Sequence, residues 1–177
     1  FPHVQRITTT CRNLRSPQAR RIPDCPRIRT LEGGLDHLGR LQTIAADGEI
    51  VFHLAAWLAN TQMPGIIEVF VTNSLVTGVL AKLCVRAGKR MVFTSSHSVY
   101  FAGPYRGRIL EDTYPFRGDF LEWIESARGD YDALSEEIIA GRKDFSEAPR
   151  AIARIHEKLP PPFQPKIYDN DSYHVYC

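Results

Sequence analysis

An α/β fold around a parallel sheet is predicted by three features of this sequence. Short β-rich runs alternate with helical runs from Val4 to Thr94. The run "EIVFHLAA", Glu49 to Ala56, is apolar almost throughout, as in a strand covered on both faces. The order strand, loop, strand, helix, strand, long helix, strand is a βαβ series, which builds a parallel sheet with right-handed crossovers.

Val4 to Cys11 alternates β-branched and polar residues and predicts the first strand. The basic, proline-punctuated stretch Arg12 to Pro26 predicts a loop with room for one short helix. Arg27 to Leu31 predicts a strand stopped by Gly33-Gly34, and Asp36 to Ala46 a helix with Leu38, Leu41 and Ile44 at helical spacing. After the Glu49 to Ala56 strand, Pro64 to Gly88 carries Ile67, Phe70, Val71, Leu75, Val79, Leu80, Leu83 and Cys84 on one stripe, a long helix ended by Gly88. Arg90 to Thr94 is the next strand. Beyond Gly103 the texture shifts. Phe120 to Ala127, Tyr131 to Gly141 and Glu147 to Leu159 predict short amphipathic helices, and "PPPF" at 160–163 closes the last.

With 177 residues the chain is the size of one domain with a real core. Apolar residues at 44% and charged residues at 24% fit a soluble globular protein, and no apolar run approaches the roughly 18 residues of a membrane span. A formal charge of +2 does not argue for nucleic acid. Arg12, Arg15, Arg20, Arg21, Arg27 and Arg29 cluster early, but no aromatic interleaving accompanies them. Cys11, Cys25, Cys84 and Cys177 have no metal or redox spacing, which predicts a reducing, cytoplasmic setting. The chain begins at Phe1 with neither leader nor initiator Met and reads as a fragment.

The stretch "VFTSSHSVY", Val92 to Tyr100, ends a core strand with four hydroxyls, on Thr94, Ser95, Ser96 and Ser98. Ligands of doubly wound sheets sit outside the carboxyl ends of the strands, so these hydroxyls are placed to meet one. Taken in order, "VFHLAA", "TNSLVTGVL", "GKRMVFTSSHSVY" and "ILEDTYP" resemble consecutive segments of the extended short-chain dehydrogenase/reductase family, the NAD-dependent epimerase/dehydratase group. The resemblance covers residues 28–115 and extends less fully over 4–27. It implies a Rossmann-like doubly wound parallel sheet, incomplete, with a helical insertion after the fifth strand. Residues 1–115 would be a partial NAD(P)-binding domain and 163–177 the return to the start of the catalytic helix, while 116–162, where the resemblance gives no match, reads from its amphipathic helices as a helical insertion or lid over the crevice.

Carried over residue by residue, the resemblance puts Leu54, Ala55 and Ala56 where small side chains let the cofactor approach the backbone. Asn73 would offer an amide near the cofactor ribose, and Thr94 would help to place the cofactor. Ser96 matches the catalytic serine, whose hydroxyl donates to the substrate oxygen as charge develops during hydride transfer. Ser98 is a candidate for substrate contact, His97 a bystander, and Glu111-Asp112 a pair that shapes its loop.

The sequence also departs from the family. It contains no GxxGxxG loop, which would hold the pyrophosphate on a helix amino-terminus. If Val4 to Cys11 is the second strand, the first strand, its loop and its helix lie upstream of Phe1. The second-strand end reads "CRNLR", so Arg12 and Asn13, with Arg15, tilt the cofactor toward NADP over NAD. Where the family has an Asp-Leu pair beside the adenine, this chain has Gly34-Leu35, which leaves Leu35 to pack the ring. No tyrosine has a lysine four residues on. Tyr131 has Ser135 in that place, and Tyr176 has its partner position beyond Cys177; Tyr176 is the preferred proton carrier.

The resemblance therefore implies an NAD(P)-dependent oxidoreductase or epimerase/dehydratase acting by hydride transfer on a nucleotide sugar or other small alcohol or carbonyl compound, with the printed fragment inactive alone. The rival is a non-catalytic Rossmann-like module for binding or regulation. The expected partners are a small-molecule substrate and at most a second copy in a homodimer, with no nucleic acid, membrane or metal.

Overall fold

The ladders of this protein are built where β-branched residues concentrate, at "ITTTC" and "IVFH", and a computed structural model places them. It describes residues 3–17, 19–56, 66–94 and 118–158; the predicted sites Ser96, Ser98 and Tyr176, with His97, Glu111, Asp112 and Tyr173, lie outside them. The architecture is mixed α/β. Strand β1 (Ile7–Cys11) pairs in parallel with β2 (Ile28–Glu32), Ile7 opposite Ile28 and Cys11 opposite Glu32. Strand β3 (Ile50–His53) pairs in parallel with β4 (Arg90–Phe93), Ile50 opposite Arg90 and His53 opposite Phe93. Among the described residues these are two two-stranded parallel ladders.

Helix α1 (Leu38–Asp47) connects the ladders. At its end the Asp47 carboxylate accepts from Arg6 and from the Thr8 hydroxyl, with Arg29 3.8 Å away. The Thr8 hydrogen bond, reinforced by the two guanidinium groups, holds the Asp47 carboxyl below the usual carboxylate range. Because Ile50 opens β3 three residues later, this carboxylate brings the amino ends of β1 and β3 to the same end of the molecule.

Between β3 and β4 runs α2 (Ile66–Phe70), a π-turn (Val71–Leu75) and α3 (Val76–Arg86). The stretch Ile67–Arg86 is long and apolar enough to cross a membrane by length and composition, which corrects the expectation that nothing here approaches that length. Half of its apolar window is buried, since Val71, Leu75, Val76, Val79, Leu80 and Cys84 form the centre of the core. Cys84 behaves as the small hydrophobe its setting predicts, and burial pushes its thiol up.

Two further expectations are corrected. Among the described residues β3 is covered on one face: Val51 and His53 are buried, whereas Phe52 is 64% and Leu54 69% exposed. The helices packed on it supply one layer, and the period-2 alternation of side chains sends every second residue away from that layer. The predicted helices 120–127 and 131–141 are one, α4 (Gly118–Ile139). Nothing crowds Gly129 within it, and its propensity cost of about 1 kcal/mol is offset by the burial of Leu134 and Ile138. A 3₁₀ turn (Phe145–Glu147) opened by an Asp144–Glu147 capping box leads into α5 (Ala148–Glu157). The buried Phe145, Ala148, Ile152 and Ile155 join the same core as Leu41 and Leu80, so this helical segment is packed into the α/β layer.

Gly88 ends α3 at φ 64°, with Gly88 N–H bonded to the Val85 carbonyl and Lys89 N–H to the Cys84 carbonyl, a Schellman closure. Gly88→Ala is expected to lower stability by about 1 kcal/mol, because a Cβ penalises this left-handed residue although the space around it is empty. A denaturant midpoint unchanged by the substitution would contradict this.

Candidate functional site

All four strands run parallel within their ladders, so the segment after each carboxyl end carries the loop residues that the sequence nominated. Arg12 and Asn13 follow β1, Leu35 follows β2, Leu54 to Ala56 follow β3, and Thr94 follows β4. Asn73 lies in the π-turn of the helix leaving β3.

The β3 and β4 ends are held together. Thr94 N–H donates to the His53 carbonyl at 3.3 Å, extending the ladder one residue past β4. His53, buried at 3% exposure, stacks on Phe93 with ring centroids 5.9 Å apart. Its Nε2 lies 2.8 Å from the Thr77 hydroxyl, which donates to the Asn73 carbonyl at 2.8 Å. Leu54, Ala55, Ala56 and Thr94 are exposed beside this buried knot, and Asn73 is half-buried. π-turns inside α-helices recur at functional sites. Desolvation holds the His53 imidazole below its ordinary pKa, so the ring is neutral at physiological pH.

The β1 and β2 ends are organised differently. The Asn13 side-chain oxygen accepts from Arg15 N–H at 2.8 Å, and the Cys11 thiol donates to the Asn13 carbonyl at 3.3 Å. A Glu32 carboxylate oxygen accepts from Leu14 N–H at 2.9 Å, bringing an acid into the arginine loop. Asn13 is thus engaged in shaping its own turn. Leu35 packs partly against the core, which leaves part of its surface for a flat ring.

Tyr131 is placed away from proton transfer. Its hydroxyl is 2.9 Å from Nε2 of buried His156, and burial pushes the phenol well above its ordinary pKa. Ser135, which stands where a lysine would be needed, is buried and donates to the Tyr131 carbonyl. The "YDALSEE" stretch is therefore packing between helices.

His53, Thr77 and His156 escaped the sequence reading. The signal for His53 was one titratable residue inside an otherwise apolar strand; Thr77 and His156 gave none. A cleft of about 300 Å³ opens at the elbow between α4 and α5, lined by Leu38, Ile138, Phe145 and the charged Arg142, Lys143, Asp144 and Glu147; none of the predicted site residues among the described ones lines it. Among the described residues no group of three or more His, Cys, Asp or Glu side chains could hold a metal. No protein-family model, curated protein or solved structure matches the chain.

Proposed function

We propose that this chain is the greater part of the cofactor-binding domain of an NAD(P)-dependent oxidoreductase or epimerase/dehydratase of the extended short-chain type. Its substrate would be a nucleotide sugar or another small alcohol or carbonyl compound. The observation that carries this reading is the strand arrangement. In the doubly wound order 3-2-1-4-5, strands 2 and 3 form one flank and strands 4 and 5 the other, with strand 1 between. If β1, β2, β3 and β4 are strands 2, 3, 4 and 5, then the ladders β1-β2 and β3-β4 are those two flanks. The position between them belongs to strand 1, which carries the glycine-rich loop that the sequence lacks.

The residues present fit the nicotinamide half of a dinucleotide better than the phosphate half. Leu54, Ala55 and Ala56 offer an open, small-residue edge, Thr94 a hydroxyl and Asn73 an amide, all around the ends of β3 and β4. Arg12 and Arg15 favour NADP, while Glu32 in the same loop works against a 2′-phosphate, so the preference over NAD is slight. Bound there, the nicotinamide would accept or deliver hydride. The chain's own contribution is to orient it, with Ser96 holding the substrate oxygen and Tyr176 moving the proton. Residues 116–162, expected from the sequence as a lid, would flank the substrate side, with Phe145, Ala148, Ile152 and Ile155 held in the core. The burial of Tyr131 favours Tyr176 as the proton carrier, and the lack of a Tyr–Lys pair in the sequence keeps a second reading, a non-catalytic binding module.

Calorimetric titration with NADPH and NADH tests this. The 177-residue chain is expected to bind at least tenfold more weakly than a protein in which a strand, a GxxGxxG loop and a helix precede Phe1, because that loop supplies the backbone N–H cradle for the pyrophosphate. No binding by either protein overturns the proposal. Binding without turnover in a protein that also carries a lysine four residues after Tyr176 favours the module.

A further inference from the structure

We propose that His53 is a positioning residue that sets the spacing among three segments of the cofactor site: the end of β3, the end of β4 and the π-turn bearing Asn73. The inference rests on the function proposed above, but its geometry stands apart from it. A carbonyl cannot donate, so the hydrogen between Thr77 and the Asn73 carbonyl, 2.8 Å apart, belongs to the Thr77 hydroxyl. A hydroxyl has one hydrogen, so Thr77 must accept from His53, and the 2.8 Å contact is an Nε2–H donation. The tautomer of His53 is thereby fixed by the chain itself, and the relay runs in one direction from strand to helix.

The relay ends on a carbonyl inside a widened turn. Val76 N–H reaches back five residues to the Val71 carbonyl, so the ordinary four-residue ladder is broken here, and the Thr77 hydroxyl gives the Asn73 carbonyl a donor. At its other end His53 has its main-chain carbonyl bound to Thr94 N–H and its ring against Phe93. Leu54 follows His53 directly. His53 therefore meets the π-turn through its ring and Thr77, and the end of β4 through its ring on Phe93 and its main-chain carbonyl on Thr94. The competing role is plain core filling, which would affect stability and leave binding alone.

Thr77→Val removes the relay while keeping the shape, and Thr77→Ser retains it. In the protein extended by the glycine-rich unit, Thr77→Val is expected to raise the Kd for NADPH about tenfold, the scale of one lost hydrogen bond, and Thr77→Ser to restore it. Asn73→Ala combined with Thr77→Val should add little, because both act through one contact. Unchanged affinity in Thr77→Val, or full additivity with Asn73→Ala, overturns the inference. Hydrogen exchange at amides 72–78 reads the geometry independently of ligand: faster exchange in both Thr77→Val and His53→Phe supports the relay, and unchanged exchange overturns it. Should the unsubstituted protein bind no nucleotide, the proposed function fails while the exchange result still decides whether His53 holds the π-turn.

Discussion

Ser96→Ala is expected to reduce turnover by roughly a hundredfold or more in a protein where this chain has a glycine-rich loop before it and a lysine four residues after Tyr176. That is the scale for removing one hydrogen-bond donor from an oxygen on which charge develops. The donor has to be held still to be worth that much. Thr94 is bound through its N–H to the His53 carbonyl, and only Ser95 separates it from Ser96. Because the interaction strengthens as the oxygen becomes negative, the loss should fall on kcat with little change in KM. Ser98→Ala, at a position expected to touch the substrate and not its reacting oxygen, should act mainly on KM. Steady-state kinetics on the two variants separate these roles. A Ser96→Ala enzyme within threefold of the unsubstituted rate would remove Ser96 from the chemistry.

Local signals in the sequence carried most of the element order. Apolar runs of strand length, Gly-Gly after Glu32 and Gly88 after the long helix are read within a few residues, and β2, α1, β3 and β4 appear within a few residues of their expected ends. What depends on distant partners was illegible. The separation into two ladders follows from which strand edges meet, and nothing inside "ITTTC" or "IVFH" specifies that. The one-sided covering of β3 was misread because a run with no alternation cannot say whether a second layer is present.

The site divides in the same way. Thr94 and Leu54 to Ala56 were nominated by the resemblance, and the structure puts them at recognisable strand ends. His53 was passed over because a single imidazole in an apolar run becomes informative only when Thr77, 24 residues on, is seen beside it. The partner of Tyr131 was hidden for the same reason: its neighbours in sequence resemble a catalytic helix start, whereas its hydroxyl meets His156, 25 residues away.

That partner gives the second large effect, a loss of stability in mild acid. His156 is 4% exposed and its Nδ1 is buried with no hydrogen-bond partner, while Nε2 meets Tyr131 and the ring edge meets Phe70 with centroids 4.4 Å apart. A second proton on this ring would be a buried charge with nothing to receive it, and desolvation pushes its pKa down to about 4 from the ordinary 6.5. The unfolded chain therefore takes up a proton that the folded chain refuses. Stability is full above about pH 6.5 and falls as the pH drops from there to about 4. A shift of this size has a ceiling of about 3 kcal/mol. The carboxylates of Asp47, Glu136, Glu137 and Asp144, all held below their ordinary range by hydrogen bonds and cationic neighbours, lose their contributions only at lower pH, so the two windows separate. His53, also depressed by burial, adds to the upper window. His156→Gln keeps a partner for Tyr131 without a titrating group, and its urea-unfolding free energy should vary less between pH 7 and pH 4.5 than that of the unsubstituted protein. Parallel profiles for the two would mean that His156 is protonated in the fold and that its Nδ1 has a partner after all.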